Sequence, residues 1–595
     1  MQKGKFMLNT ISQFCLLGVV LLSCTQKKNL EPEMGKTGES VDLVYPLLDT
    51  ENSRWFFFSS ASRPFGMVNL SPDTQVKGAW GSGYRYKIDT VQGFSHIHAW
   101  QLSGLSVMPL TLPPGQTDSV FKDYKSKFSH HTERVSPGYH YVELDRYGVG
   151  VELTSTKRVG FHRYAFPENE RPAILFNLNG PLGPAENGDG VLKKEGDHTL
   201  SGELRIAPTR RRPKPVKLFF SIALDTKIKE IIQDEETGNY LVALAEEGKK
   251  VLMKVGLSYT SLENALANRE AELSDWNFDH VVSDSKKEWN GLLKRIKVEG
   301  GTLAARQRFY TDLWHALQGR RVISDFNGAY PDNSGEVFRV GQLPLNAEGK
   351  PAFNHYNSDS FWGAQWTLNT LWGLVYPDVM KEFAHSLLQY QKDGGLVPRG
   401  PSGGNYTYVM TGASSTPFVV SAIQKGIVTE NEAQIYQALK KNHMPGGIME
   451  KAGYEHQTAL GGGLQHYMER GYVPYPIPEG KFGGHQDGAG LTMEYAYQDW
   501  VLAQLAKKVG HHEDYNYFME RSKNYSNVFD SVSGWMRPRD LSGHWYADYD
   551  PYQHQHGFIE SNGAQATWFV PHDIAGLSRL MGGNKDAVQK LNAQF

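Results

Sequence analysis

The sequence predicts a two-part fold, a β-sandwich over residues 41–285 followed, after a linker at 286–300, by an incomplete (α/α)6 helical toroid over 301–595. Three observations predict it. At 595 residues the chain is far longer than one ordinary core can organise. Up to about Asp284, short apolar runs alternate at a period of two and are punctuated by Gly, Pro, Asn and Asp. Beyond Lys286 the apolar spacing changes to that of amphipathic helices joined by Gly-rich loops.

The strand signal is clearest where Leu218, Phe220, Ile222 and Leu224 alternate with Phe219, Ser221 and Ala223, so that one face lies in the core. Comparable runs cover Tyr139 to Leu144, Val149 to Thr154, Ala173 to Leu178, Leu200 to Ile206, Tyr240 to Ala245 and Val251 to Tyr259. Many short strands with turns between them indicate a sandwich. The clearest helix carries Met493, Ala496, Tyr497, Trp500 and Val501 on one stripe and ends at Lys507, Lys508 and Gly510. Similar segments run at Leu303 to Leu317, Ser360 to Leu374, Asp378 to Gln391, Thr416 to Lys425, Glu430 to Lys441, Glu513 to Phe529, Asp573 to Met581 and Asp586 to Phe595. Loops such as Gly394-Gly395, Gly403-Gly404 and Gly461-Gly462-Gly463 would gather at one end of a toroid and build a site there.

At the N-terminus, Lys3 and Lys5 precede the apolar run Phe14 to Leu22, and Leu21-Leu22-Ser23-Cys24 follows. The run is too short for a permanent span, which needs roughly 20 residues. It reads as a lipoprotein signal at 1–23, with lipidation at Cys24, a tether at 24–40, and attachment to the bacterial cell envelope through the lipid alone. Both cysteines, Cys15 and Cys24, lie in this segment, so the mature body is held by packing rather than by disulfides. With 62 basic against 64 acidic residues, the charge balance offers no reason to expect a nucleic-acid partner. The basic cluster Arg210-Arg211-Arg212-Pro213-Lys214 reads as a solvated hairpin loop between strands.

Among candidate chemical groups Glu560 stands out. From Pro551 to His572 it is the single acidic residue, with no Lys or Arg, and Phe558, Ile559 and Trp568 surround it in sequence. Desolvation by such neighbours would raise its proton affinity, as a general acid requires. An exposed loop carboxylate, or a charge at the helix start near Ser561-Asn562, fits the same residues. His554 with His556, and Asp548 with Asp550, are incomplete as metal ligand sets. Phosphate-loop, HExxH and paired CxxC motifs are absent from the sequence. The 12% aromatic content suits a surface that presents rings to sugar faces, with Trp100, Trp362 and Trp366 among the candidates.

A run of ordered blocks resembles glycoside hydrolase family 92, the calcium-dependent exo-α-mannosidases. The blocks are Pro64-Phe65-Gly66-Met67-Val68-Asn69-Leu70-Ser71-Pro72-Asp73-Thr74, Gly93-Phe94-Ser95-His96-Ile97-His98, Phe309-Tyr310-Thr311, Gly394-Gly395-Leu396 with Pro398-Arg399, Glu494-Tyr495-Ala496-Tyr497 with Asp499-Trp500, and Phe569-Val570-Pro571-His572-Asp573. The resemblance implies a β-sandwich packed on an (α/α)6 toroid and an inverting mechanism that acts on mannose-containing glycans. In that mechanism one carboxylic acid and one carboxylate stand roughly 6.5–9.5 Å apart. It places Glu560 as the acid, because the family's acid lies shortly before the Phe-Val-Pro-His-Asp block. It implies sugar contacts at His96, Trp362, Arg399, Asn562, His572 and Asp573. It also implies a Ca2+ ion whose ligands it does not identify here.

The chain departs from the family in three respects. Glu560-Ser561-Asn562 stands for Glu-Gly-Asn, with Gly563-Ala564-Gln565-Ala566 for the ring-rich stretch that follows; Phe361-Trp362-Gly363 stands for Leu-Trp-Asp; and the general base is expected beyond Phe595. Those departures leave open a glycan-binding lipoprotein on the same scaffold, or an α-glycosidase of other specificity. A lyase on a similar toroid would more naturally use a Tyr/His pair.

Overall fold

The computed structural model describes residues 38–112, 117–245, 250–451, 462–476 and 487–594. The signal segment and Cys24 lie outside the described residues. Among the described residues no helix is long and apolar enough to cross a membrane.

The N-terminal region is a sandwich of two antiparallel sheets. One sheet has six strands, in the order Ser71–Asp73, Gly93–Ala99, Leu102–Thr111, Pro172–Asn177, Tyr240–Leu244 and Ile228–Gln233. The other has nine, running from Gly180–Leu182 through Ala185–Gly196, Thr199–Ile206, Val216–Leu224, Lys250–Ser258, Val159–Ala165, Val149–Ser155 and Tyr139–Leu144 to Arg134–Ser136. The alternation read at 218–224 is realised except at Ser221: Leu218, Phe220, Ile222 and Leu224 are buried, Phe219 and Ala223 are less so, and Ser221 is buried as well. Leu102–Thr111 faces the nine-stranded sheet so closely that a β-carbon on Gly104 would lie 2.8 Å from Leu218. Glycine is what allows the sheets to meet there.

After the short helix Thr117–Lys122 within the sandwich region, the helical region opens with Leu262–Glu272 and Phe278–Leu293, which cap the nine-stranded sheet. They continue through Leu303–His315, Leu368–Val375, Pro377–Gly394, Ser415–Gln424, Glu432–Asn442, Gly488–Lys508 and His512–Arg521. Pro377–Gly394 packs on Ser415–Gln424, which packs on Gly488–Lys508. The second contact skips Glu432–Asn442 and Leu464–Arg470, and this helical region is consistent with the expected toroid. Gly488–Lys508 is not the one-sided amphipathic helix its stripe suggests. It is buried on nearly every side, Thr492, Glu494, Gln498 and Asp499 included, so it is an interior helix whose polar groups must find partners within the protein. Asp499 shows how: it accepts from Arg521 Nε at 2.7 Å and Tyr467 OH at 3.1 Å, and pairs with His443 Nδ1 at 2.8 Å.

The basic cluster lies, as read, in the loop between Thr199–Ile206 and Val216–Leu224 with Arg210 exposed, but it is not solvated throughout. Arg212 is fully buried and donates to the carbonyls of Gln101, Ala207 and Lys214. Lys214 reaches across to the carbonyls of Asn333 and Gly335. Five carbonyl partners explain why these cations leave water, and the hairpin thereby docks against the helical region.

Candidate functional site

Two cavities, of about 590 Å3 and about 470 Å3, share Trp362 and Glu560. The larger is walled from the sandwich side by Arg54, Phe56, Trp80, Trp100 and Arg211, and from the helical side by His315, Arg320, Asp359, Trp362 and Gly363. The smaller is walled by Trp366, Glu494, Phe558, Trp568 and Phe569. Both cavities are thus lined by rings with a few polar groups, the chemistry of a sugar-binding cleft.

Local contacts fix the walls. Trp100 sits in the turn between strands Gly93–Ala99 and Leu102–Thr111. Its carbonyl accepts from Ser402 Oγ at 2.7 Å and Asn357 Nδ2 at 3.1 Å, and its indole donates to the Gly400 carbonyl at 3.3 Å. The two regions are pinned together at this point. Trp80 stacks on Trp100 with centroids 5.0 Å apart and planes at 20°, Phe56 meets both edge-on, and the Arg211 guanidinium lies 4.8 Å over Trp80. On the facing wall, segment 358–361 is clipped to 399–401 by Ser358 N to Pro401 O at 3.0 Å and Phe361 N to Arg399 O at 2.9 Å. That clip presents Trp362 to both cavities.

Glu560 closes an irregular loop after Phe558 and Ile559. Those two side chains turn into the core, whereas Glu560 is exposed and its backbone is left-handed at φ +45°. A non-glycine residue held there is strained, and such strain clusters at functional sites. The desolvation expected from the flanking sequence is therefore corrected: the apolar neighbours bury themselves and leave the carboxylate at the cavity surface.

The desolvated carboxyl of the site is Glu494. Burial pushes it up to about 7, even though Trp362 Nε1 donates to one oxygen at 2.5 Å and Thr411 Oγ1 to the other at 2.9 Å. Nearby Asp487 adds to the rise and Arg399 opposes it. Asp359, beside Arg320, is also raised by burial. Sequence reasoning missed both as site residues. Glu494 opens the block Glu494-Tyr495-Ala496-Tyr497, and its signal was an acidic residue on a helix that is apolar from Ala489 to Met493 apart from Thr492.

Of the sequence-expected sugar contacts, the rings Trp100, Trp362 and Trp366 line the cavities, whereas His96, Arg399, Asn562, His572 and Asp573 do not. His96 is fully buried inside the sandwich, its ring bonded to the Leu105 carbonyl at 2.7 Å and to His162 at 2.9 Å, and burial lowers it to about 4. Arg399 is buried, its two terminal nitrogens donating to the carbonyls of Gly412, Lys451 and Tyr408 while its Nε has no hydrogen-bond partner. Burial lowers it to about 10. Asn562 and Asp573 are helix N-caps, accepting from Gln565 N at 2.9 Å and Gly576 N at 2.8 Å. His572 pairs with the Ser522 carbonyl at 3.0 Å and packs among Tyr497, Trp500 and Tyr525. These five hold the scaffold instead of facing the cleft.

Among the described residues one trio brings three ligand-type atoms within 4.8 Å of one another: Asp49, Asp312 and His315. Arg308 lies 2.7 Å from Asp312 and 3.8 Å from Asp49. Calcium takes six to eight oxygen ligands at about 2.3–2.6 Å. An imidazole nitrogen and two carboxylates already paired with a guanidinium do not suit it. His554 with His556, and Asp548 with Asp550, form no such group among the described residues.

Comparison with known proteins bears on this cleft. The chain is 24% identical over 630 residues, covering 93% of its own length and 74% of the relative's, to an uncharacterized secreted glycosidase of Arthroderma benhamiae. Its fold superposes on that of a family GH92 inverting mannosidase from Bacteroides thetaiotaomicron with a TM-score of 0.80 at 24% identity, covering 94% of this chain and 75% of that one. A second family GH92 α-mannosidase of the same organism gives 0.78 at 25% identity, with the same shares covered. The description of the glycosyl hydrolase family 92 N-terminal domain matches residues 43–258, and that of the family 92 catalytic domain matches residues 264–595. With the helical region matched from end to end and a ring-walled cleft formed against the sandwich, this chain belongs to glycosyl hydrolase family 92.

Proposed function

We propose that the protein removes terminal α-linked mannose from glycans by an inverting mechanism, with Glu560 as the general acid. The observation that carries the reading is the placement of Glu560, strained and facing both ring-walled cavities, in a family 92 chain whose fold neighbours include α-mannosidases. In the step proposed, the Glu560 carboxyl gives its proton to the glycosidic oxygen as the C1–O bond breaks. Water adds to C1 from the opposite face and loses its proton to a second carboxylate. A glycan seated against Trp362 would cover Glu560 and exclude solvent from it.

Calcium dependence is proposed on family membership. Its ligands are to be sought outside the Asp49, Asp312 and His315 trio, and no step above runs through the ion. Export and a lipid anchor at Cys24 are proposed from the N-terminal pattern, and one relative is named as secreted. The domain partition proposed remains a sandwich at 41–285 and a catalytic toroid at 301–595.

The test is release of mannose from α-linked manno-oligosaccharides by the protein expressed from its intact gene. Loss of release on chelation and in Glu560→Gln is expected. Undiminished turnover in that variant removes Glu560 from the mechanism, and undiminished turnover with chelator removes calcium. Binding without release of any monosaccharide favours a glycan-binding lipoprotein instead. Lipid labelling that persists in Cys24→Ala refutes the anchor.

A further inference from the structure

Asp359 is placed with unusual care for a residue outside any regular element. Strand Arg320–Val322 pairs antiparallel with Tyr356–Ser358, which sets Arg320 opposite Ser358 and brings the next residue, Asp359, beside the guanidinium. Arg320 Nη2 comes within 3.1 Å of Asp359 Oδ1, an ion-pair distance, but its N–H is not aimed at that oxygen. Oδ1 accepts no hydrogen bond, and Arg320 Nε donates none. Both groups line the larger cavity, where Asp359 and Glu560 are the carboxylates among the described residues. Gly363 lines it too, and a β-carbon there would meet nothing within 4 Å. An ion pair that leaves a buried donor and a buried acceptor without hydrogen bonds, on residues that line open volume, is a costly arrangement. A ring carrying hydroxyl groups supplies what both lack, since each hydroxyl donates as well as accepts.

We propose that the Asp359–Arg320 pair grips the sugar in this cleft. Asp359 accepts from two neighbouring hydroxyls of a neutral pyranoside, Arg320 donates to a ring or hydroxyl oxygen, and the space over Gly363 admits the ring. Asp359 is thus a binding and selectivity residue that takes no proton in the reaction. The assignment rests on the cleft being the glycosidase site proposed above.

The experiment measures binding of methyl α-D-mannopyranoside and of α-linked mannobiose by titration calorimetry in the Glu560→Gln background, and steady-state kinetics on mannobiose in the active protein. Asp359→Asn is expected to weaken binding and raise KM by about 10-fold or more, with kcat within about 3-fold of the parent. Asp359→Glu keeps the charge beside Arg320 while moving the carboxylate by one methylene. It is expected to show the same loss, and it decides the matter if Asp359→Asn folds poorly. Unchanged Kd and KM in both variants overturn the proposal. So does a fall in kcat as deep as that of Glu560→Gln with KM unchanged, because Asp359 would then be a reacting group. Sugar bound through Asp359 but never hydrolysed supports this assignment and refutes the proposed activity. Mannose released equally well by parent and variants refutes this assignment and leaves the activity standing.

Discussion

Replacing Glu494 by Gln should abolish a pH dependence of stability that is built into the cleft. An ordinary glutamate titrates at 4.5, and in the folded protein burial holds this one up to about 7. At ~1.4 kcal/mol per tenfold change in proton affinity, ionising Glu494 in the folded chain costs about 3 kcal/mol more than in the unfolded chain. The folded chain therefore holds the extra proton between these two values. Its contribution is fully present below about pH 4.5 and is lost as pH rises through about 7. The amide of Glu494→Gln would imitate the protonated form: its oxygen accepts from Trp362 Nε1, and its NH2 donates to Thr411 Oγ1. Urea unfolding followed at about pH 4 and about pH 8.5 should give nearly equal stabilities at the lower pH. At the higher pH the variant should be the more stable by up to about 3 kcal/mol. Two curves that stay parallel across that range would refute a buried, high-affinity carboxyl at this position.

Two further outcomes follow from contacts around the site. Asp499→Ala leaves Arg521 and His443 buried without their shared carboxylate, and should lower stability by about 3–5 kcal/mol in the same unfolding assay. A loss under about 1 kcal/mol would mean that the network is dispensable. Trp362→Phe keeps a ring on both cavities but removes the donor to Glu494, so KM for mannobiose should rise and the stability transition assigned to Glu494 should move to higher pH. A transition that does not move would place the cause of the raised affinity elsewhere.

Most of the fold was legible because strand and helix periods are local. The strand read at 139–144 is observed as Tyr139–Leu144, and the helix read at 378–391 as Pro377–Gly394. The break from strand to helix was read at 286 but falls at Leu262, with Leu262–Glu272 and Phe278–Leu293 lying against the nine-stranded sheet. Glu560 and Trp362 were legible in the site through the ordered blocks around them. His96, Arg399, His572 and Asp573 lie in ordered blocks and Asn562 two residues after Glu560, yet such a motif does not reveal whether a polar side chain faces the cleft or satisfies a backbone group behind it. Glu494 reaches Trp362 across 132 residues of chain, and Asp359 reaches Arg320 through a strand pair too short to read. The docked Arg212 was illegible for a related reason: a run of cations looks solvated until the carbonyls that receive them are in place.

The measurement that bears most directly on Glu560 compares leaving groups. A general acid matters when the departing oxygen needs a proton and hardly at all when it leaves readily as an anion. Glu560→Gln should lose about 10²–10⁴-fold in kcat/KM on α-linked mannobiose. On 2,4-dinitrophenyl α-D-mannopyranoside the same variant should stay within about 10-fold of the parent. Equal losses on both substrates, or no loss on either, would contradict the assignment of Glu560 as the acid of this cleft.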